Sequence, residues 1–282
     1  MPKPPGRHSR GFLGDALDVI HFVWTHPSNR GRRVRTLLRA FLVQFRGRAL
    51  GRPTVVPWGQ RSRLEIWPER GSSGLAYANP PEWAEFAVWT KVLRRGDLFI
   101  DVGANVGAYT IWALELGALV IAIEPNPQAA AQLRRNVDLN LGEVEILQAA
   151  AADKGGTVRV TSDLGVLNHI IAEGSDEGIR VPSITLDELI GDRVVAGMKI
   201  DVEGAEALVI AGASRALAEK RIRLLQLEWN PQDHANFGAA RTDLASSLRS
   251  MGYELLRPDD AGNLVPITHD GPGPDIFARP TT

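Results

Sequence analysis

Cysteine is missing from all 282 residues. That excludes a disulfide framework, a thiolate metal site and a cysteine nucleophile, and it suits a reducing compartment. Long apolar runs are missing too. A spanning helix needs ~20 apolar residues in a row, and the longest semi-apolar stretch, residues 13–25, is broken by Asp15, Asp18 and His21. No apolar core followed by a small-residue cleavage site marks a secretory leader. The composition, 44% hydrophobic and 23% charged, is that of a soluble globular chain with enough length for a large core. A cytoplasmic location is expected.

Acids are scarce near the N-terminus. Up to Arg63 there are thirteen Lys or Arg and two acids, Asp15 and Asp18, so the net charge of −1 divides into +11 there and −12 elsewhere. A basic arm on an acidic body points to an anionic partner for the arm. The Pro-rich residues 1–10 predict disorder. One amphipathic helix is predicted over 11–24, closed by His26-Pro27, and a second over about 30–46, capped by Ser28 or Asn29. In the second, Val34, Leu37, Leu38, Phe41, Leu42 and Phe45 recur at helical spacing, and Arg32, Arg35, Arg39 and Arg46 take much of the rest. Two readings follow. Residues 30–46 make peripheral contact with an anionic membrane at its inner face, or the helix packs on the body and leaves an Arg face in solvent. Nucleic acid is disfavoured, because basic and aromatic residues do not interleave and an acidic body repels phosphate.

Residues 51–74, rich in Pro and Gly, predict short strands and turns and end a basic extension over 1–74; a second unit spans 75–282. After a helix over 81–95, strands and helices alternate. Strands are predicted at 98–102, 119–124, 144–148, 198–202 and 222–229, with closing strands near 253–256 and 275–278. The alternation stalls between Gly155 and Val181, as in an inserted hairpin, and a long helix is predicted over 205–219. This pattern implies an α/β fold, a mostly parallel sheet with helices on both faces.

The first of these strands runs into a Gly-rich turn, Asp101-Val102-Gly103-Ala104-Asn105-Val106-Gly107. Ligands of doubly wound sheets sit outside the carboxyl ends of the strands, where strand order reverses. Gly103 allows a tight turn and close approach of backbone, and Gly107 allows a helix to pack closely on a strand. Asn105 stands where a dinucleotide fingerprint has its middle Gly, which argues against a dehydrogenase. Asp101 suits an amine-bearing ligand better than a pyrophosphate. Glu124, 23 residues later in Ile121-Ala122-Ile123-Glu124-Pro125-Asn126, is placed for ribose hydroxyls. Together these features point to a nucleoside-type cofactor.

The runs FIDVGANVGAYT, IAIEPNP, AAAADKGG, ITLDEL, MKIDVEGAE and LLQLEWN, in that order, resemble the FkbM family of S-adenosylmethionine (SAM)-dependent methyltransferases over roughly residues 75–256. The resemblance implies a seven-stranded, Rossmann-like class I methyltransferase fold, SAM as cofactor, and O-methylation of a sugar or polyketide hydroxyl. It also implies that Asp101, Gly103, Ala104, Asn105 and Gly107 hold the methionine part. Glu124 would hold the ribose, with Pro125 and Asn126 beside the adenine, which Ala150 and Asp153 would border. Asp153 has a second reading as turn chemistry before Lys154-Gly155-Gly156.

Methyl transfer from a sulfonium is an in-line displacement, so it needs an aligned acceptor and help with the hydroxyl proton. In Met198-Lys199-Ile200-Asp201-Val202-Glu203-Gly204-Ala205-Glu206, period-two alternation puts Lys199, Asp201 and Glu203 on one side. Asp201 is the first candidate to orient the acceptor or cofactor or to act as base, and Glu203 the second. Glu228 is placed to bind the acceptor, and Glu206 is read as favourable charge in a first helical turn. His169, within the insertion, is a further base candidate. Asp201, Glu203 and Glu228 are hard oxygen donors, yet no metal-specific spacing is present and no resident metal is expected. The acceptor class is a small molecule, glycan or glycolipid. A nucleoside-binding protein without catalysis is the alternative.

Overall fold

The computed structural model describes residues 12–67, 72–161, 170–171, 178–229, 241–267 and 275–281. Helix α1 (Phe12–Thr25) and helix α2 (Arg33–Leu50) lead into a hairpin of β1 (Thr54–Trp58) and β2 (Ser62–Ile66). Helix α3 (Trp83–Val92) precedes the repeating part: β3 (Leu98–Val102), α4 (Ala108–Glu115), β4 (Leu119–Ile123), α5 (Pro127–Leu139) and β5 (Val144–Leu147). The predicted insertion is a separate four-stranded sheet of β6 (Ala150–Ala151), β7 (Gly156–Val160), β8 (Ile170–Ile171) and β9 (Ile179–Ile184). Then follow α6 (Leu186–Ile190), β10 (Gly197–Ile200), α7 (Glu206–Ala211), α8 (Ser214–Ala218) and β11 (Leu225–Leu227). The chain closes with α9 (Arg241–Ser250), β12 (Tyr253–Pro258), β13 (Leu264–Pro266) and β14 (Ile276–Pro280).

The main sheet has the order β13-β12-β14-β11-β10-β3-β4-β5. Its five strands from β11 to β5 are parallel; β14 runs antiparallel to β11, β12 reverses again and so shares the direction of the five, and β13 pairs antiparallel with β12. The seven expected strands are present, and the short edge strand β13 adds an eighth. From β3 the chain steps outward through β4 and β5, then returns to β10 on the other side of β3. The point where strand order reverses therefore lies between β3 and β10.

Strand alternation sorts side chains into two cores. Phe99, Val120 and Ala122 join Trp58, Phe86 and Trp89 on one face, and Ile100, Val102, Ile121, Ile123, Met198 and Ile200 fill the other. The first core also holds Phe22, Val23, Ala40 and Val43 of the N-terminal helices. The hairpin is fixed to the body by polar contacts as well. The Glu115 carboxylate accepts from the amides of Gln60, Arg61 and Ser62 at 2.8–3.0 Å, and the Glu65 amide donates to Asn136 Oδ1 at 2.7 Å.

Several local expectations are corrected. Ser28 and Asn29 do not cap α2, which starts later with no side-chain cap. Asn29 instead donates to the carbonyls of Val23 and Tyr77 at 3.1 and 2.8 Å, because the chain there folds into a short 3-10 turn. The helix expected over 205–219 breaks into α7 and α8. More consequentially, of its predicted large apolar residues α2 packs only Leu37 against the core. It buries the small stripe Thr36, Ala40, Val43 and Gly47, and leaves Val34, Leu38, Phe41, Leu42 and Phe45 at 47–69% exposure. Small residues let the helix axis approach the body, and the bulky side of an amphipathic helix is then turned outward.

Candidate functional site

The turn after β3 is built from left-handed backbone. Gly103, Asn105 and Gly107 have φ of 77, 51 and 95°, conformations that strain most side-chain-bearing residues. Gly103 is required by contact as well, since a Cβ there would lie 1.8 Å from the carbonyl oxygen of Asp201. The turn after β3 and the turn after β10 are thus pressed backbone against backbone. Gly107 packs differently from expectation. Its Cβ position meets Leu133 of α5 at 2.5 Å, so it admits a side chain of the next helix and not a strand.

Asp101 is 1% exposed. Thr110 of α4 donates to its Oδ2 at 2.7 Å, while its Oδ1 is buried and has no hydrogen-bond donor among the described residues. Burial raises the Asp101 carboxyl, and the nearby Lys199 charge opposes that rise. A buried acceptor lacking a donor, beside a turn with no Cβ at Gly103, fits a cationic amine.

Glu124 joins the two turns. Its Oε2 accepts from the Asn105 amide and its Oε1 from the Asn126 amide, both at 2.8 Å. Burial raises it to about 7, although both amide bonds favour the charged form. Asn126 has a structural duty, because its Oδ1 accepts from the amides of Gln128 and Ala129 and caps α5. Pro125 lies between them. Ala150 is buried in β6, which pairs with β9 in the second sheet, not at the end of β5. Asp153 is exposed and pairs loosely with Lys154 at 3.9 Å. Ala104 spends its amide on Ile123 O at 3.0 Å, alongside that of Gly103.

Strand β10 ends at Ile200, so Asp201 and Glu203 sit in the following turn and not in a strand, with Glu203 itself left-handed at φ 53°. The turn brings the acids together all the same. Carboxylate oxygens of Asp201, Glu203 and Glu228 lie within 4.8 Å of one another. Glu228 is driven far upward by burial and by the Asp201 and Glu203 charges, and it shares a hydrogen bond with Asp201. It therefore carries a proton at neutral pH. Glu206 accepts from the Val202 and Gly204 amides at 3.2 and 3.3 Å, which gives it a backbone-organising role in that turn. His169 falls outside the described residues.

Sequence reasoning offers Lys199 as an ion-pair partner for Asp201 or Glu203, and the pair with Asp201 is present; the row of polar residues behind it was not assigned. Strand register sets Asp101, Lys199 and Gln226 side by side on β3, β10 and β11. Lys199 Nζ donates to Asp201 Oδ2 at 2.6 Å and lies 4.4 Å from the Tyr109 ring centroid. Burial alone would lower Lys199, but the charges of Asp201, Asp101 and Glu82 outweigh it and keep the amine protonated. Tyr109 donates to Glu82 Oε2 at 2.5 Å. Gln226 accepts from Trp89 Nε1 at 2.5 Å and donates to Tyr109 Oη at 3.0 Å and to Asp275 Oδ2 at 2.8 Å. One signal was available: Lys199 and Gln226 are single polar residues inside otherwise apolar strand runs, and such residues demand buried partners.

Residues 101–255 match the protein family described as methyltransferase FkbM domain. The chain is 29% identical over 205 residues to 31-O-demethyl-FK506 methyltransferase FkbM of Streptomyces tacrolimicus, covering 60% of this chain and 76% of that protein. Among solved structures it resembles a precorrin-6y C5,15-methyltransferase of Geobacter metallireducens at 17% identity and a TM-score of 0.43, covering 72% and 89% of the two chains. It also resembles the magnesium protoporphyrin IX methyltransferase of Synechocystis, with bound SAM, at 15% identity and a TM-score of 0.42, covering 69% and 76%.

Proposed function

Because this chain belongs to the FkbM family of SAM-dependent methyltransferases, we propose that it methylates a hydroxyl group, on a small or glycan-type acceptor such as a sugar residue of a glycolipid, polysaccharide or natural product. The name of its curated relative, an O-demethyl-FK506 methyltransferase, supports oxygen as the methyl acceptor. The observation that carries the reading is the meeting of the two turns. Asp201, paired with Lys199 at 2.6 Å, belongs to the turn whose backbone touches Gly103 of the cofactor turn.

When bound, SAM supplies an electrophilic methyl on a sulfonium. Asp101 Oδ1 would receive its amine, the turn from Gly103 to Gly107 would enclose the methionine part, and Glu124 would hold the ribose. Lys199 keeps Asp201 ionised, so the Asp201 carboxylate accepts a hydrogen bond from an acceptor hydroxyl and draws off its proton as the oxygen attacks. A positioned base of this kind contributes roughly 10²–10⁴-fold. Protonated Glu228 donates to Asp201 and fixes its direction, and Glu203 faces the acceptor.

The working location that fits this reading is the cytoplasm, with peripheral contact at the inner membrane face through residues 30–46. No described helix is long and apolar enough to cross a membrane. The test is Asp201→Asn. SAM affinity should stay near that of the parent while turnover falls by about 10² or more. Equal turnover in parent and variant would refute the assigned role.

A further inference from the structure

Helix α2 exposes more large hydrophobic side chains than any other element among the described residues. At about 100° per residue, five of its six exposed apolar side chains, Val34, Leu38, Phe41, Leu42 and Phe45, fall in an arc of roughly 100°. The small stripe it buries lies opposite. Phe41 and Phe45 stack with ring centroids 6.1 Å apart. Helix α1 also exposes apolar side chains, Leu17, Ile20 and Trp24, at 66, 46 and 49% exposure. A patch of this kind on a single chain marks an interaction surface.

Its rim is basic. Seven arginines lie between residues 30 and 48, and no acid occurs between Asp18 and Glu65. On the helical wheel Arg35, Arg39 and Arg46 border one side of the apolar arc and Arg48 the other. Arg33 stands over the Trp24 ring at 5.4 Å. An isologous contact with a second copy would press two such rims together with no acid to neutralise either. A phosphate backbone would leave the central phenyl and leucine side chains without a partner. An anionic bilayer matches both parts, with apolar residues at the acyl boundary and guanidinium groups among the headgroups.

We propose that the outward faces of α1 and α2 form a docking surface for an anionic lipid bilayer. This deepens the peripheral contact described above and rests on it. It differs in the residues it assigns: the apolar row enters the membrane, α1 takes part, and the buried small stripe joins the surface rigidly to the catalytic unit. Deleting the arm would open the core that holds Phe22, Val23, Ala40 and Val43, so surface substitutions are the sound probe.

The experiment is co-sedimentation of the full chain with vesicles of phosphatidylcholine, with and without phosphatidylglycerol. Binding is expected only with the anionic lipid. The double variants F41S/F45S and R35E/R48E should each weaken it by ~10-fold or more, with melting temperature and SAM affinity unchanged. Failure of the parent to bind anionic vesicles, or full binding by F41S/F45S, overturns the proposal. So does a dimer in ultracentrifugation that F41S/F45S dissolves while vesicles are ignored. A parallel assay with a soluble sugar acceptor separates the two readings. O-methyl transfer without vesicle binding overturns the docking surface alone, and vesicle binding without transfer supports the surface while counting against the acceptor.

Discussion

Replacing Lys199 by methionine removes the one cation held between Asp101 and Asp201 while keeping the side-chain volume. At 2.6 Å and an effective permittivity of ~20, the Lys199–Asp201 attraction is roughly 6 kcal/mol before desolvation is subtracted. Truncating one partner of a buried pair costs about 3–5 kcal/mol. The Asp201 side chain is 34% exposed, so water relieves part of that loss and about 2–3 kcal/mol remains. For a chain of this size that lowers the melting temperature by roughly 5–10 °C. A second effect separates an electrostatic role from a packing role. Without Lys199 the Asp101 carboxyl, already raised by burial, is raised further, which disfavours the charge a cationic amine would meet. SAM affinity of K199M, measured by calorimetry across pH, should be weak at neutrality and recover toward alkaline pH. The parent should show only the rise near pH 7 that Glu124 sets, and K199M a further recovery above it. A variant that melts within 1–2 °C of the parent, on a scale where ~1 kcal/mol shifts it several degrees, and binds SAM with the parent's pH profile, would refute the reasoning.

Asp101→Asn keeps the shape and the Thr110 contact but loses the charge, so SAM should bind about 10- to 100-fold more weakly; equal affinity by calorimetry would sink the assignment. Glu124 predicts a pH dependence with a definite sign. Its folded value of about 7 lies above the ordinary 4.5, so folding favours the protonated acid. The stability this contributes is present at low pH and lost as pH rises from about 4.5 to about 7. Ribose binding wants the carboxylate, so SAM affinity should improve as pH passes about 7, and Glu124→Gln should lack that limb. Glu115 goes the other way: three amide bonds outweigh burial and hold it below its usual value. Its stabilisation is therefore present above about 4.5 and lost as pH falls through the depressed value. Denaturation of Glu115→Ala should show a loss of about 1–2 kcal/mol at neutral pH that vanishes in acid.

The parts of the site legible in the sequence are those written in consecutive residues. The turn from Asp101 to Gly107, Glu124 at a strand tip, and the three acids around Asp201 are each local signals, and the structure gathers them at one end of β3, β4 and β10. The row Asp101, Lys199 and Gln226 was not legible, since it depends on the register of strands joined through long crossovers. Glu82 and Tyr109 were hidden for the same reason, 117 residues separating Tyr109 from the Gln226 that orients it. Helix α2 failed differently. Periodicity shows which side of a helix is apolar, and it usually decides which side is inside, but Ala40 and Gly47 offered a closer fit than Phe41 and Leu42.

The contact between Gly103 and the Asp201 carbonyl has a bearing on how this enzyme changes over generations. The loop proposed to hold the cofactor and the loop that carries the leading acid cannot be resized one at a time, because any side chain at Gly103 would collide with its neighbour. On the proposed reading, variation in what is methylated enters elsewhere, at positions such as Glu203 and Glu228. A library aimed at new acceptors should mutate those positions and leave the Gly103–Asp201 seam untouched.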